Sequence, residues 1–227
     1  MKRIKKKQIL LYMFSATGIM AALFYFSHVI VGRLIWTDYN PYSQPISDLT
    51  AVGTVSEAIT SKVLYGYNIF NLLFCGFLIY FFKRHINLNK LFYTGIILMF
   101  IAEVFSTFGY MLFPLDNTEW ANTFQNTMHY AITGIIVFSY ILLSILLTVG
   151  MRKTKNYRNI NFFLIIFTIV FIGSGLGTVI AAQLIPAYAG FVERINLYSL
   201  MVLKTAISIW IIYIVNKHKK TEVIIDD

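Results

Sequence analysis

Charge is scarce in this sequence: Asp, Glu, Lys and Arg make up only 13% of 227 residues, about half the share of a typical soluble domain. Hydrophobic residues reach 58%, and a chain this short cannot bury that much apolar surface as a soluble fold. A disordered basic chain is excluded as well, because it would not carry 20 Phe and 15 Tyr. Cysteine is nearly absent too. The single thiol, Cys75, lies inside an apolar run, so no intrachain disulfide staples the loops and a buried packing role is expected. There is no phosphate-binding glycine loop, CxxC, HExxH or GxSxG, and no internal repeat to signal a duplicated carrier. These gaps leave a membrane protein without a ready-made catalytic or metal signature.

What the chain does have is long apolar runs, at about 8–32, 61–82, 91–113, 125–149, 160–183 and 194–215. Each exceeds the roughly 20 residues of a spanning helix, and none shows the alternation of barrel strands. The expected fold is therefore an all-α integral membrane protein, a bundle of six transmembrane helices occupying 8–215. A basic tail, 1–7, precedes it and a second tail, 216–227, follows. The first run resembles a signal peptide in its basic start. It is too long for that, lacks a small-x-small cleavage site, and is read as a retained span.

Basic residues set the orientation by the positive-inside rule. Lys2, Arg3, Lys5, Lys6, Lys7, Lys83, Arg84, Lys90, Arg152, Lys153, Lys155, Arg158, Lys217, Lys219 and Lys220 fall on one side. Arg33, Lys62 and Arg194 fall on the other, with Asp38, Asp48, Glu57, Asp116, Glu119 and Glu193. Both termini are thus expected in the cytoplasm. The net charge of +9 is mainly an orientation signal, and nucleic-acid binding is not expected. A small acidic excess lies outside.

The outer side also carries the unusual residues. The longest loop, about 33–60, contains Tyr42-Ser43-Gln44-Pro45-Ile46-Ser47-Asp48-Leu49, whose prolines and turn formers predict an ordered excursion. Ser47 or Asp48 is suited to cap a short helix there. Pro114 stops the third helix and leaves Asp116 at the interface, with Asn126 and His129 in the first turns of the fourth. Glu193 and Arg194 enter the sixth helix, and His28 sits near the outer end of the first. Each has a bland reading: Glu193 as a helix-dipole partner, Arg194 as a mate for Glu193, Asp48 or Asp116, each histidine as a packing residue. Their concentration at one level makes His28, Ser47, Asp48, Asp116, His129, Glu193 and Arg194 a candidate outer-face pocket.

Two charges lie deeper, Glu103 in the third helix and Lys204 in the sixth. An unpaired charge at mid-membrane costs at least ~2.5 kcal/mol on insertion scales, so a direct Glu103–Lys204 pair is expected, as glue between helices or part of a passage. Asn68 and Asn71 share a face of the second helix as further polar glue. Gly173 and Gly177 form GxxxG in the fifth, which predicts close helix approach.

The stretches YSxxISDL from Tyr42 to Leu49, FPLD at Phe113–Asp116, His129, and GFVERI at Gly190–Ile195 occur in this order. Together they resemble the bacterial six-helix membrane family catalogued as domain of unknown function 998, over roughly 12–215. The resemblance implies the same architecture and a shared outer cluster of Ser47, Asp48, Pro114, Asp116, His129, Glu193 and Arg194. It brings no activity with it.

Three functions compete. The favoured one is an accessory protein of the cell membrane that binds a lipid headgroup or a protein partner in the outer pocket, without a cofactor. An enzyme acting on a lipid or lipid-linked substrate would use carboxylates and a histidine as acid and base, with Arg194 on a phosphate. A metal hydrolase like the ceramidase and adiponectin-receptor group needs more histidines than His28 and His129 and an absent HxxxH, so no metal is expected. A small transporter would use Glu103 and Lys204.

Overall fold

The computed structural model describes residues 2–86, 88–116, 123–154 and 157–225. Six long helices follow one another: α1 (Lys2–Ile35), α2 (Glu57–His85), α3 (Lys90–Leu112), α4 (Phe124–Arg152), α5 (Arg158–Leu184) and α6 (Ala189–Ile225). Short 3-10 helices at Ile46–Thr50 and Pro186–Tyr188 lie between them, and no strand occurs among the described residues. All six long helices are long and apolar enough to cross a membrane. The four prolines, Pro41, Pro45, Pro114 and Pro186, all fall between them, where the missing amide and the ring clash interrupt no helical ladder. Helix α1 begins within the basic tail, and α6 runs on past residue 215.

Local chemistry fixes the helix ends. The Asn89 side chain accepts the Leu91 amide at 2.9 Å to start α3, and Thr123 accepts the Asn126 amide at 3.1 Å to start α4; both satisfy amides that have no helical acceptor. At the end of α3 the Phe113 amide closes on Gly109 before Pro114 stops the ladder.

Each helix packs on its neighbours in sequence, and α6 closes the ring on α1. Tyr12 donates to Asn216 at 2.7 Å, so the start of α1 and the end of α6 lie at one end of the bundle. Lys83, Arg84, Arg152, Lys153 and Arg158 gather at that basic end; the opposite one, with the 36–56 segment, is the loop end. The basic half is filled by Phe81, Phe82, Phe92, Leu147 and Met151, all buried, and Trp210 packs on Phe82 with ring centres 5.5 Å apart. Helices α3 and α4 touch closely here. A Cβ at Gly150 would stand 2.7 Å from the Phe92 Cα.

The expected GxxxG contact is realised differently. Nothing lies within 4 Å of a Cβ at Gly173, whereas Gly175 abuts Asn196 and Gly177 abuts Val192. The reason is polar: Asn196 of α6 donates to the Phe171 carbonyl at 2.7 Å, which turns the 171/175 side of α5 toward α6.

Candidate functional site

The 36–56 segment folds back over the loop end because its apolar residues are anchored there. Ile46 and Leu49 are buried, so the ISDL motif is held by its first and last members. The Leu49 carbonyl accepts from Ser56 at 2.8 Å and from Thr60 at 2.6 Å. Gly53, at φ +83°, turns the chain toward α2, and its amide reaches the Glu57 carboxylate at 2.7 Å.

The GFVER sequence of α6 is the receptor for this segment. Gly190 permits the approach, since a Cβ there would collide with the Gln44 carbonyl. The Phe191 amide donates to Tyr42 at 2.9 Å. Glu193 accepts the Ile46 amide at 3.0 Å, so the 3-10 helix is capped from α6 and not by Ser47 or Asp48, which lie within it. Glu193 also stands beyond the first turn of α6, and its carboxylate answers the start of another helix. Arg194 donates through Nη1 to the carbonyls of Pro41 (2.6 Å), Gln44 (2.9 Å) and Gly190 (2.8 Å), and through Nη2 to the Tyr39 hydroxyl. Its guanidinium lies 5.4 Å from the Tyr39 ring centre. The expected ion pair of Arg194 with Glu193, Asp48 or Asp116 is not formed; neutral carbonyls take its donors instead. Burial raises Asp48 from 3.8 to about 6, against the opposing Gln44 hydrogen bond and the Arg194 charge. Burial likewise raises the Tyr39 hydroxyl, which Arg194 opposes.

A second set of contacts forms where α3 meets α4. The Val52 amide donates to Leu115 at 2.8 Å, and the Asp116 amide donates to the Asn126 side chain at 2.8 Å. The FPLD motif thus works through its backbone: Gln125 also reaches the Pro114 carbonyl at 2.8 Å. His129 Nδ1 lies 2.9 Å from the Phe113 carbonyl, and the ring packs on Tyr110 at 4.8 Å between centres. His28 is separate from both sets. It is buried in α1 against Tyr25, and its Nδ1 has no hydrogen-bond partner. Among the described residues no three His, Cys, Asp or Glu side chains gather as a metal-ligand set.

At mid-depth, Lys204 Nζ stands 2.7 Å from Glu103 Oε1, with exposures of 0% and 3%. Lys204 also donates to Tyr67 at 2.8 Å and lies 5.0 Å from that ring centre. Glu103 accepts from Asn71 at 2.5 Å and from the Tyr140 hydroxyl. Four helices therefore contribute to one closed network, with Asn71 buried and Asn68 only half-buried.

A groove of about 340 Å³ lies between α1 and α6 at the loop end, lined by Val29, Ile30, Arg33, Leu34, Tyr39, Pro41, Arg194 and Tyr198. Residues 29, 30, 33 and 34 share one face of α1, and 194 and 198 are one turn apart on α6. Ile30 and Leu34 are 60% and 74% exposed. Arg33 Nη1 donates to the carbonyls of Trp36 (3.0 Å) and Thr37 (2.5 Å) beyond the end of α1. Tyr39, Asn126 and Arg33 carry much of this geometry. In the sequence Arg33 gives a sign as a cation closing an apolar run and Asn126 as a polar residue in the first turns of the fourth helix, whereas Tyr39 gives none.

A ring of six membrane-crossing helices with an ordered loop docked across one end defines a multi-pass membrane protein. The family described as "Protein of unknown function (DUF998)" matches residues 19–210, and the chain belongs to it. No curated protein and no solved structure matches the chain.

Proposed function

We propose that the protein is a binding or accessory protein of the cell membrane, its loop end facing outward and its termini in the cytoplasm, that holds a lipid headgroup at the outer leaflet. The observation that carries this reading is the α1–α6 groove, apolar along Val29, Ile30 and Leu34 and bordered by Arg33 and Arg194. Such a surface matches an amphiphile, with an acyl chain along the helices and a polar head at the rim. Binding is favoured over catalysis because Glu193, Arg194 and His129 are engaged in holding the backbone of the loops.

Native mass spectrometry of protein extracted in mild detergent tests this reading. Wild type is expected to retain one lipid per chain. Ile30→Trp, which fills the groove from an exposed position, is expected to release it while keeping the helical circular-dichroism signal of wild type. Equal retention by both proteins would refute the assignment.

A further inference from the structure

Resting on the lipid-binding reading, we propose that the groove selects an anionic phospholipid and that Arg33 grips its phosphodiester. Two arginines border this largely apolar groove and no Asp or Glu does, so its edge favours a phosphate and offers nothing acidic to an accompanying amine. An aromatic face could replace a carboxylate for an ammonium group, but the Tyr39 ring is already taken by Arg194 and the Tyr198 ring packs against Phe26, 5.1 Å between centres.

The two arginines play different parts. Arg194 is only 7% exposed, and its Nη atoms bond to three carbonyls and a phenol. It holds the loop and adds positive potential to the groove, its charge unmatched by a carboxylate in contact. Arg33 is exposed, and its two bonds to the chain beyond α1 both use Nη1. Those bonds fix the guanidinium plane and leave the Nε–Nη2 edge, a two-donor fork whose spacing fits two oxygens of one phosphate. Holding the fork in place beforehand reduces the ordering cost of binding. Ile30 and Leu34 lie three residues before and one after Arg33 on the same helix, so a lipid gripped there lays its chain against α1.

The test is competition between two lipids with identical acyl chains. Protein in mixed micelles with equimolar phosphatidylglycerol and phosphatidylcholine is read by native mass spectrometry. Wild type is expected to prefer phosphatidylglycerol by about tenfold or more, because both lipids offer the phosphodiester but only phosphatidylcholine brings a cation toward Arg33 and Arg194, where like charges repel. Arg33→Gln is expected to weaken retention of both lipids, which share the phosphodiester, and to reduce the preference; Arg33→Lys, keeping the charge without the fork, is expected to restore the preference more fully than the retention. Equal retention of the two lipids by wild type, or an undiminished preference in Arg33→Gln, overturns the proposal and leaves lipid binding itself standing. Retention no greater in wild type than in Ile30→Trp overturns both.

Discussion

Glu103 and Lys204 meet at 2.7 Å across a ring of helices in which α3 and α6 make no backbone contact. Each ring neighbour is held by packing along its length, whereas this diameter is spanned by two long side chains. Tyr67, Asn71 and Tyr140 complete the hydrogen bonding around them. The network joins α2, α3, α4 and α6 at one depth and fixes their rotation relative to one another.

Removing one partner should be far worse than removing both. Lys204→Met or Glu103→Leu alone leaves a buried unpaired charge, a loss of roughly 3–5 kcal/mol. The double variant should recover a large part of that, though not all, because Tyr140 and Asn71 lose their acceptor. Thermal unfolding in detergent measures the coupling. Losses in the two single variants that simply add in the double would show that the pair is not a unit.

How far the sequence revealed this depended on the kind of contact. Six helices were legible because apolar run length responds directly to membrane thickness. Glu103 and Lys204 stood out because charge is costly at that depth. The loop-end layer was only half legible. Glu193, Arg194 and Asp116 attract notice as charges, yet they lie in contacts with backbone: Glu193 on the Ile46 amide, Arg194 on carbonyls, Asp116 through its own amide. Backbone partners carry no residue identity, so a sequence scan pairs charge with charge and misses them. The bulky Ile46 and Leu49 anchor the motif whose polar Ser47 and Asp48 drew attention.

Glu193 should be needed as an acceptor more than as a charge. Glu193→Ala strands the Ile46 amide, at about 1–3 kcal/mol for a buried unsatisfied donor, and should speed hydrogen exchange through residues 42–50. Glu193→Gln retains a carbonyl oxygen and should protect this segment nearly as well as wild type. Equal exchange in all three proteins would show that the cap does not order the loop.

Close backbone approach should make one glycine indispensable and another replaceable. A methyl group at Gly150 meets the backbone of Phe92, which cannot rotate away, so Gly150→Ala should part α3 from α4 at a cost of roughly 1–3 kcal/mol. Gly173 has open space, and Gly173→Ala should be neutral or stabilising by up to about 1 kcal/mol through helix propensity. Melting temperatures of the two variants compared with wild type decide the matter, and a larger loss at Gly173 would contradict the packing described.

The Asp48 carboxyl should make the loop end pH-sensitive. Folded, it holds its proton to about pH 6, while its ordinary value is 3.8. Between these values the folded protein binds more protons than the unfolded chain, so stability falls as pH rises through this window and is level above it. Asp48→Asn removes the titration while keeping a side chain that can bond to Gln44. The variant should match wild type at about pH 4 and melt higher at about pH 7, by an amount that partial solvent exposure keeps modest. The opposite order, with wild type gaining on the variant as pH rises, would mean that the Arg194 charge outweighs burial and that Asp48 serves as its ionised partner.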